Sequence, residues 1–312
     1  MNNMKVVLPG GAGLVGQNLI VRLKAKGYRN ITVIDKHQDN VKILKTLHPD
    51  IQVIPADLSV PGGWEGVLSS ANIVVMLQAQ IGGINFQEFE RNNVQSTHLI
   101  LKQLEKNPAI RLVHISSSVV TSKANDFYSQ TKRTQEKLVL ESDVHCPVLR
   151  PTLMFGWYDR KHLGWLSRFM EKMPIFPIPG NGKYMRQPLY VGDFCNVIIK
   201  CIEDHHLNGI YNITGTEKID YVDIIKNIKT VINSRVKIIH LPYRLFYSLL
   251  AVWAWFDKNP PFTTQQLAAL VTDDVFEVDD WPNTFHVSAT PFSVALAETF
   301  CDPIHSNVVL QF

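Results

Sequence analysis

At 312 residues the chain is long enough for one large domain or two fused ones around a substantial core. Its net charge of +3, with Lys and Arg scattered rather than gathered in a stripe, argues against nucleic acid as a partner. The four cysteines, Cys146, Cys195, Cys201 and Cys301, have no CxxC or Cys/His ligand spacing, so neither a metal site nor a disulfide framework is expected.

The N-terminus enters a strand, Lys5 to Leu8, almost at once, which predicts no signal peptide and a cytoplasmic location. Gly10, Gly13 and Gly16 follow, and then an amphipathic run from Gln17 to Lys26. Strand, Gly-rich turn and helix form an anion-binding arrangement. One glycine allows the tight turn, one lets a pyrophosphate approach the main chain, and one lets helix and strand pack closely. The exposed N–H groups of the helix's first turn face the anion. Ile31–Ile34 is a second strand ending in Asp35, at the ~20-residue spacing where a carboxylate binds the adenosine ribose of NAD and repels a 2′-phosphate. Lys36 and His37 could soften that repulsion, so NAD is favoured over NADP without excluding it.

Ile51–Ile54 is a third strand, and Asp57-Leu58 after it can place a carboxylate near adenine. Gly62 to Ser70 reads as a short helix. Ile73–Leu77 is a fully apolar strand of the buried parallel type. Leu77, Gln78 and Ala79 leave its carboxyl end, the edge where open α/β sheets hold ligands. Phe86 to Lys106 reads as one long helix. Arg111–Ile115 is a fifth strand running into Ser116, Ser117 and Ser118. A helix opens at Tyr128 and continues to Glu141, and Pro147–Pro151 is a sixth strand. The alternation predicts a doubly wound parallel sheet, an α/β fold.

Beyond Gly156, Pro174, Pro177, Pro179, Gly180 and Gly182 suggest a loop between helical segments. A short strand near Leu189 leads to a helix Phe194–Glu203, a strand Gly209–Ile213, a helix Tyr221–Val231 and a strand Val236–His240. The rest is mostly helical. Its most apolar stretch, Leu245 to Phe256, is too short to span a bilayer. A core helix is the default reading. Its two tryptophans and the Arg244 and Lys258 flanks leave an interfacial helix as the alternative.

Tyr128 and Lys132 are four apart and share a helix face. A phenol needs its pKa lowered to act as an acid/base near neutrality, and an ammonium one turn away favours the phenolate. A hydroxyl from the serine run could hold a substrate oxygen.

GGAGLVG at the N-terminus, Asp35, Asp57-Leu58, ISSS, YSQTK and LRPTLMFG occur in this order. With them the chain resembles the extended short-chain dehydrogenase/reductases, in the NAD-dependent epimerase/dehydratase family. The resemblance is firmest over residues 4–215. It implies a Rossmann-type NAD(P)-binding domain over residues 1–155, with 183–215 returning to it. A smaller, mostly helical substrate lobe would comprise 156–182 and 216–312. It implies Tyr128 as general acid/base, Lys132 on the nicotinamide ribose, and Ser117 as the catalytic serine, or Ser118 if the strand slips by one residue. Gly10, Gly13, Leu14, Val15 and Gly16 would take the pyrophosphate. Asp35 and Lys36 would lie at the ribose and Asp57 and Leu58 at adenine, while Leu77, Gln78, Ala79 and Pro151 would line the cofactor. Arg186, ahead of Leu189–Asp193, would contact the diphosphate of a nucleotide sugar, with Ser118 also near the substrate.

Two departures bear on the substrate: Thr121-Ser122-Lys123 replaces the family's usual Tyr-Gly, and Leu77–Gln80 replaces its His-x-Ala-Ala. Pro261–Leu267, Leu270–Asp274 and Thr290–Ser293 resemble the branch containing the complex I accessory subunit of the NDUFA-nine type. The leading expectation is therefore an NAD-dependent oxidoreductase or epimerase acting on a nucleotide-diphosphate sugar, and family resemblance suggests a homodimer. The alternatives are a non-catalytic NAD(P)-binding subunit and a dehydrogenase of a steroid-like or lipid-like alcohol.

Overall fold

A computed structural model describes residues 3–256, 263–272, 276 and 279–311. Lys258, Pro261, Phe262, Asp273 and Asp274, used in the expectations above, lie outside the described residues. Seven strands form one sheet. Their order across it is Ile210–Ile213, Val148–Pro151, Arg111–Ile115, Ile73–Met76, Val6–Pro9, Ile31–Asp35 and Gln52–Pro55, and every pairing is parallel.

The inner strands Val6–Pro9 and Ile73–Met76 read as apolar runs because helices cover both faces. Val6, Leu8, Val33, Val75 and Val113 point into one core layer, and Val7, Ile34, Val74, Met76 and Leu112 into the other. The strand order turns back between Val6–Pro9 and Ile73–Met76, so a crevice opens there at the carboxyl ends. The helix Leu14–Ala25 packs on the helix Val191–Glu203, and Ile210–Ile213 adds the last strand to the sheet's edge. The expected doubly wound parallel sheet with a mostly helical C-terminal part is the observed fold.

Three expectations need correction. The proline-rich stretch is not all loop. Ile175–Pro179 is a strand paired in parallel with Lys237–Leu241. Among the described residues that sheet has two strands, so the prolines sit on an edge and their missing N–H groups can face outward.

Phe86–Lys106 is not one regular helix. It is α-helical over Phe86–Phe89, π-helical over Glu90–Gln95, and α-helical again over Ser96–Leu104. The Ser96 and Thr97 hydroxyls donate to the Asn92 and Asn93 carbonyls, and Asn93 is fully buried.

The default core reading of Leu245–Phe256 also fails. The helix runs Tyr243–Phe256 and leaves Leu249, Val252, Trp253, Trp255 and Phe256 exposed.

Candidate active site

The glycine turn is built around two contacts and one gap. Gly10 has φ +76°, and a Cβ there would lie 2.5 Å from the Gln78 backbone. A Cβ on Gly16 would lie 2.3 Å from the Gly11 carbonyl oxygen. Packing therefore requires both glycines. Gly13 differs: its φ is −80°, and a Cβ would come no closer than 3.6 Å to the Gly10 oxygen. Nothing in the protein forbids a side chain there. Gly13 caps the Leu14–Ala25 helix without a side-chain bond, leaving the first-turn N–H groups for a ligand.

Asp35 braces this turn from the next strand. One carboxylate oxygen accepts from the Ala12 N–H at 3.0 Å and the other from the His37 N–H at 2.9 Å. Burial pushes its pKa up, against these backbone bonds. Lys36 Nζ lies 3.2 Å from Asp57 and 2.6 Å from Asn92 Oδ1, and Arg91 approaches Asp57 at 3.3 Å. Burial raises the Asp57 carboxyl pKa, but the Ser59 hydroxyl and N–H together with Lys36 outweigh it, and the net shift is downward. Leu58 is buried in the core layer behind the turn, and Pro151 pairs with Ile213 at the sheet edge. Leu77 is half-buried, Gln78 is buried with its amide 3.3 Å from Thr97 Oγ1, and Ala79 is exposed.

At the carboxyl end of Arg111–Ile115 the three serines diverge. Ser116 Oγ donates to Glu136. Ser117 caps a 3-10 turn, Ser118–Thr121, and is buried, whereas Ser118 is half-buried within that turn. Asp126 caps the helix Phe127–Leu140 by accepting from the Ser129 N–H at 2.7 Å. Ser117 is the serine hydroxyl that acts on the Tyr128 phenol, lowering its pKa. The two serines left open by the sequence thus differ in burial.

The phenol is not tuned as expected. Burial raises the Tyr128 pKa, Ser117 lowers it and Asp126 raises it, for a net upward shift. Lys132 is fully buried. Its ammonium donates to the Ile115 carbonyl at 3.0 Å and to Gln135 Oε1, and burial pulls its pKa down to about 7 despite Glu136. Both acceptors are neutral, so the cation sits beneath the strand end rather than as a counter-ion to Tyr128.

Sequence reasoning missed the polar layer under this pair. Gln135 donates to Thr97 at 2.9 Å, and Asn93 donates to Thr131 at 3.0 Å and accepts from the Gln80 N–H at 2.6 Å. His114 is wholly buried with neither ring nitrogen hydrogen-bonded. Burial, and then Lys132, hold its pKa well below the usual value, so it is neutral. Glu136 forms a buried ion pair with Arg150 that also takes the Ser116 hydroxyl. Glu136 lies one turn past Lys132 and two past Tyr128 on the same helix face, a spacing readable from sequence.

Arg186 lies on a two-residue strand paired with Ile219–Asp220. Its guanidinium donates to the Leu270 and Thr272 carbonyls, at the end of the helix Thr264–Leu270.

The NAD dependent epimerase/dehydratase family matches residues 6–214. The chain belongs to this family. It is thus an extended short-chain dehydrogenase/reductase of the epimerase/dehydratase class.

Among curated relatives, subunit 9 of the NADH dehydrogenase [ubiquinone] 1 alpha subcomplex from Arabidopsis thaliana is 22% identical. That match covers 85% of this chain and 69% of that protein. The decarboxylating sterol-4-alpha-carboxylate 3-dehydrogenase of Mus musculus is 25% identical, over 95% of this chain and 82% of its own. Among solved structures, the UDP-glucuronic acid 4-epimerase of Bacillus cereus in complex with NAD superposes with a TM-score of 0.74. It is 20% identical and covers 96% of this chain and 98% of that chain. This likeness establishes the shared fold. The family match spans the residues that build the glycine turn and those that carry Ser117, Tyr128 and Lys132.

Among the described residues no group of His, Cys, Asp or Glu could hold a metal ion. None of their helices is long and apolar enough to cross a membrane.

Proposed function

We propose that this member of the family binds NAD in the crevice above the glycine turn and oxidises a carbinol carbon of its substrate. Gly13 carries the reading. Gly10 and Gly16 are explained by packing, whereas at Gly13 packing leaves room for a side chain and the residue's use, beyond capping the helix, fits a ligand that approaches the main chain there. Leu14, Val15 and Gly16 offer their N–H groups to the pyrophosphate, Asp35 meets the ribose hydroxyls, and Asp57 and Lys36 lie toward adenine. The Asp35 carboxylate favours NAD over NADP. NAD, when bound, supplies the hydride acceptor.

The chain's own residues handle the proton and the oxygen. Tyr128 takes the hydroxyl proton and Ser117 steadies the substrate oxygen. Lys132 stabilises the phenolate and binds the nicotinamide ribose once its hydrogen bonds to Ile115 and Gln135 are exchanged. Burial raises the Tyr128 pKa, so its action as a base calls for a cation brought close to the phenol. An epimerase would return the hydride to the opposite face of the keto sugar, whereas a dehydrogenase would release ketone and reduced cofactor.

The substrate favoured is a nucleotide-diphosphate sugar, the class to which the UDP-glucuronic acid of the structural relative belongs. In this reading Arg186 exchanges the Leu270 and Thr272 carbonyls for the diphosphate, whose geometry suits a guanidinium fork. A second reading, a sterol-like alcohol, draws on the sterol dehydrogenase relative and the exposed aromatic helix Tyr243–Phe256. The domain division follows the same logic, with residues 1–155 and 183–215 holding the cofactor and 156–182 and 216–312 shaping the substrate lobe. The three buried free cysteines fit a reducing, cytoplasmic setting. Family resemblance suggests a homodimer through the helical segments Phe86–Lys106 and Tyr128–Glu141.

A thermal-shift screen of UDP-, GDP- and dTDP-sugars, with NAD or NADP present, tests the proposal. A ligand that binds only the native state raises Tm. The expected result is a rise with NAD and a further rise with one nucleotide class. Greater stabilisation by NADP overturns the reading of Asp35, and a response to sterol alcohols alone overturns the sugar assignment.

A further inference from the structure

The helix Tyr243–Phe256 is hard to reconcile with a protein surface facing water. Leu245, Leu249, Val252, Trp253 and Phe256 recur at helical spacing and lie on one face, and they are 48%, 54%, 52%, 52% and 86% exposed. Trp255, beside that stripe, is 86% exposed. Apolar surface of this kind marks an interaction site.

Its length and composition narrow the choice. A helix of 14 residues is about 21 Å long. That is less than the roughly 30 Å hydrocarbon core of a bilayer, so it cannot cross one. Trp253 and Trp255 stand near its end, and such rings partition to the level of lipid headgroups.

Charge supplies the independent argument. Between Asp223 and Asp257 the chain has no Asp or Glu, while Lys229, Arg235, Lys237 and Arg244 fall within it, Lys226 being paired with Asp223. Arg235, Lys237 and Arg244 are exposed. Lys237 opens the strand Lys237–Leu241 that feeds the helix through Pro242, and Arg244 sits in the helix's first turn. An apolar helical face joined to a segment of one positive sign matches an anionic lipid surface. A groove in a partner protein would engage the same helical stripe but would leave the acid-free stretch before it unexplained.

We propose that the helix Tyr243–Phe256 lies in the plane of an anionic bilayer, with Leu245, Leu249, Val252, Trp253 and Phe256 in the acyl boundary and Arg235, Lys237 and Arg244 at the phosphates. The proposal does not depend on the substrate reading, because vesicle binding is measured without turnover.

The test is co-sedimentation of the full chain with phosphatidylcholine vesicles, with and without phosphatidylglycerol, compared with the triple variant Leu249→Ser, Trp253→Ser, Phe256→Ser. These side chains are at least half exposed, and retained Tm and circular dichroism confirm that the variant is folded. The expected result is binding enhanced by at least about tenfold by phosphatidylglycerol, weakened by salt, and reduced at least about tenfold in the variant. Brominated lipid should quench the fluorescence of the bound wild-type chain. Absence of binding to either vesicle overturns the proposal, as does equal binding by the folded variant. Self-association that the variant abolishes, without vesicle binding, assigns the face to a protein contact and also overturns it.

Discussion

Replacing Gly13 by alanine adds one methyl group where the polypeptide leaves room for it. The nearest atom to the new Cβ is the Gly10 carbonyl oxygen at 3.6 Å, an ordinary contact, and the backbone φ of −80° suits any residue. Losing a glycine restricts the unfolded chain and stabilises by about 0.4–1 kcal/mol. Losing a favourable cap residue costs a comparable amount, so the two offset to within about 0.5 kcal/mol. Gly16→Ala is the contrasting control, because its Cβ would meet the Gly11 oxygen at 2.3 Å and main chain cannot step aside as a side chain can. Overpacking of that kind costs about 1–3 kcal/mol or more. Thermal melting of the ligand-free proteins reads the stability arm, and NAD titration followed by Tm shift or calorimetry reads the binding arm. Gly13→Ala should melt like the wild type yet lose NAD affinity by at least about tenfold, or about 1.4 kcal/mol. Gly16→Ala should melt lower. Unchanged NAD affinity in a folded Gly13→Ala protein refutes the claim that the pyrophosphate sits against this residue.

Two further predictions concern Lys132 and Arg186. Burial lowers the Lys132 pKa to about 7 in the folded protein, from the usual value near 10.5. Between these values the unfolded chain binds more protons, so Lys132 destabilises the ligand-free fold below pH 7 and the penalty fades as pH rises toward about 10.5. The Tm of the wild type should therefore climb relative to that of Lys132→Met across this window, and parallel curves contradict the assignment. Arg186→Ala should raise KM for a nucleotide sugar by at least about tenfold with kcat little changed. A lowered Tm with unchanged KM makes Arg186 only a clasp for the Leu270 and Thr272 carbonyls.

The parallel half of the fold is legible in sequence because its strands are buried on both faces. Val6–Pro9 and Ile73–Met76 are continuous apolar runs, and the glycines after the first of them punctuate it. Ile175–Pro179 is misread for a physical reason: proline argues against strand only where both edges need N–H donors, and this strand has one partner. The π turn at Glu90–Gln95 leaves no period that a hydrophobic pattern could report, although the adjacent Asn92 and Asn93 make side-chain bonds at its centre. Leu245–Phe256 is misassigned because an apolar helix has the same composition whether the chain or something else covers it.

In the site, Gly13, Ser117, Tyr128 and Lys132 are legible as types at fixed spacings, but their charge state is not. The raised Tyr128 pKa and lowered Lys132 pKa arise from burial by residues distant in sequence. The Glu136–Arg150–Ser116 clamp also joins three separated segments, and only Glu136 announces itself by helical spacing.

Tyr128→Phe keeps the ring and removes only the group assigned to move the proton. Its turnover should be measured beside its NAD affinity, with the nucleotide sugar that the ligand screen identifies. The predicted result is a kcat lower by about 10²–10⁴-fold with NAD affinity nearly unchanged. Full turnover by Tyr128→Phe would contradict acid/base catalysis at this residue.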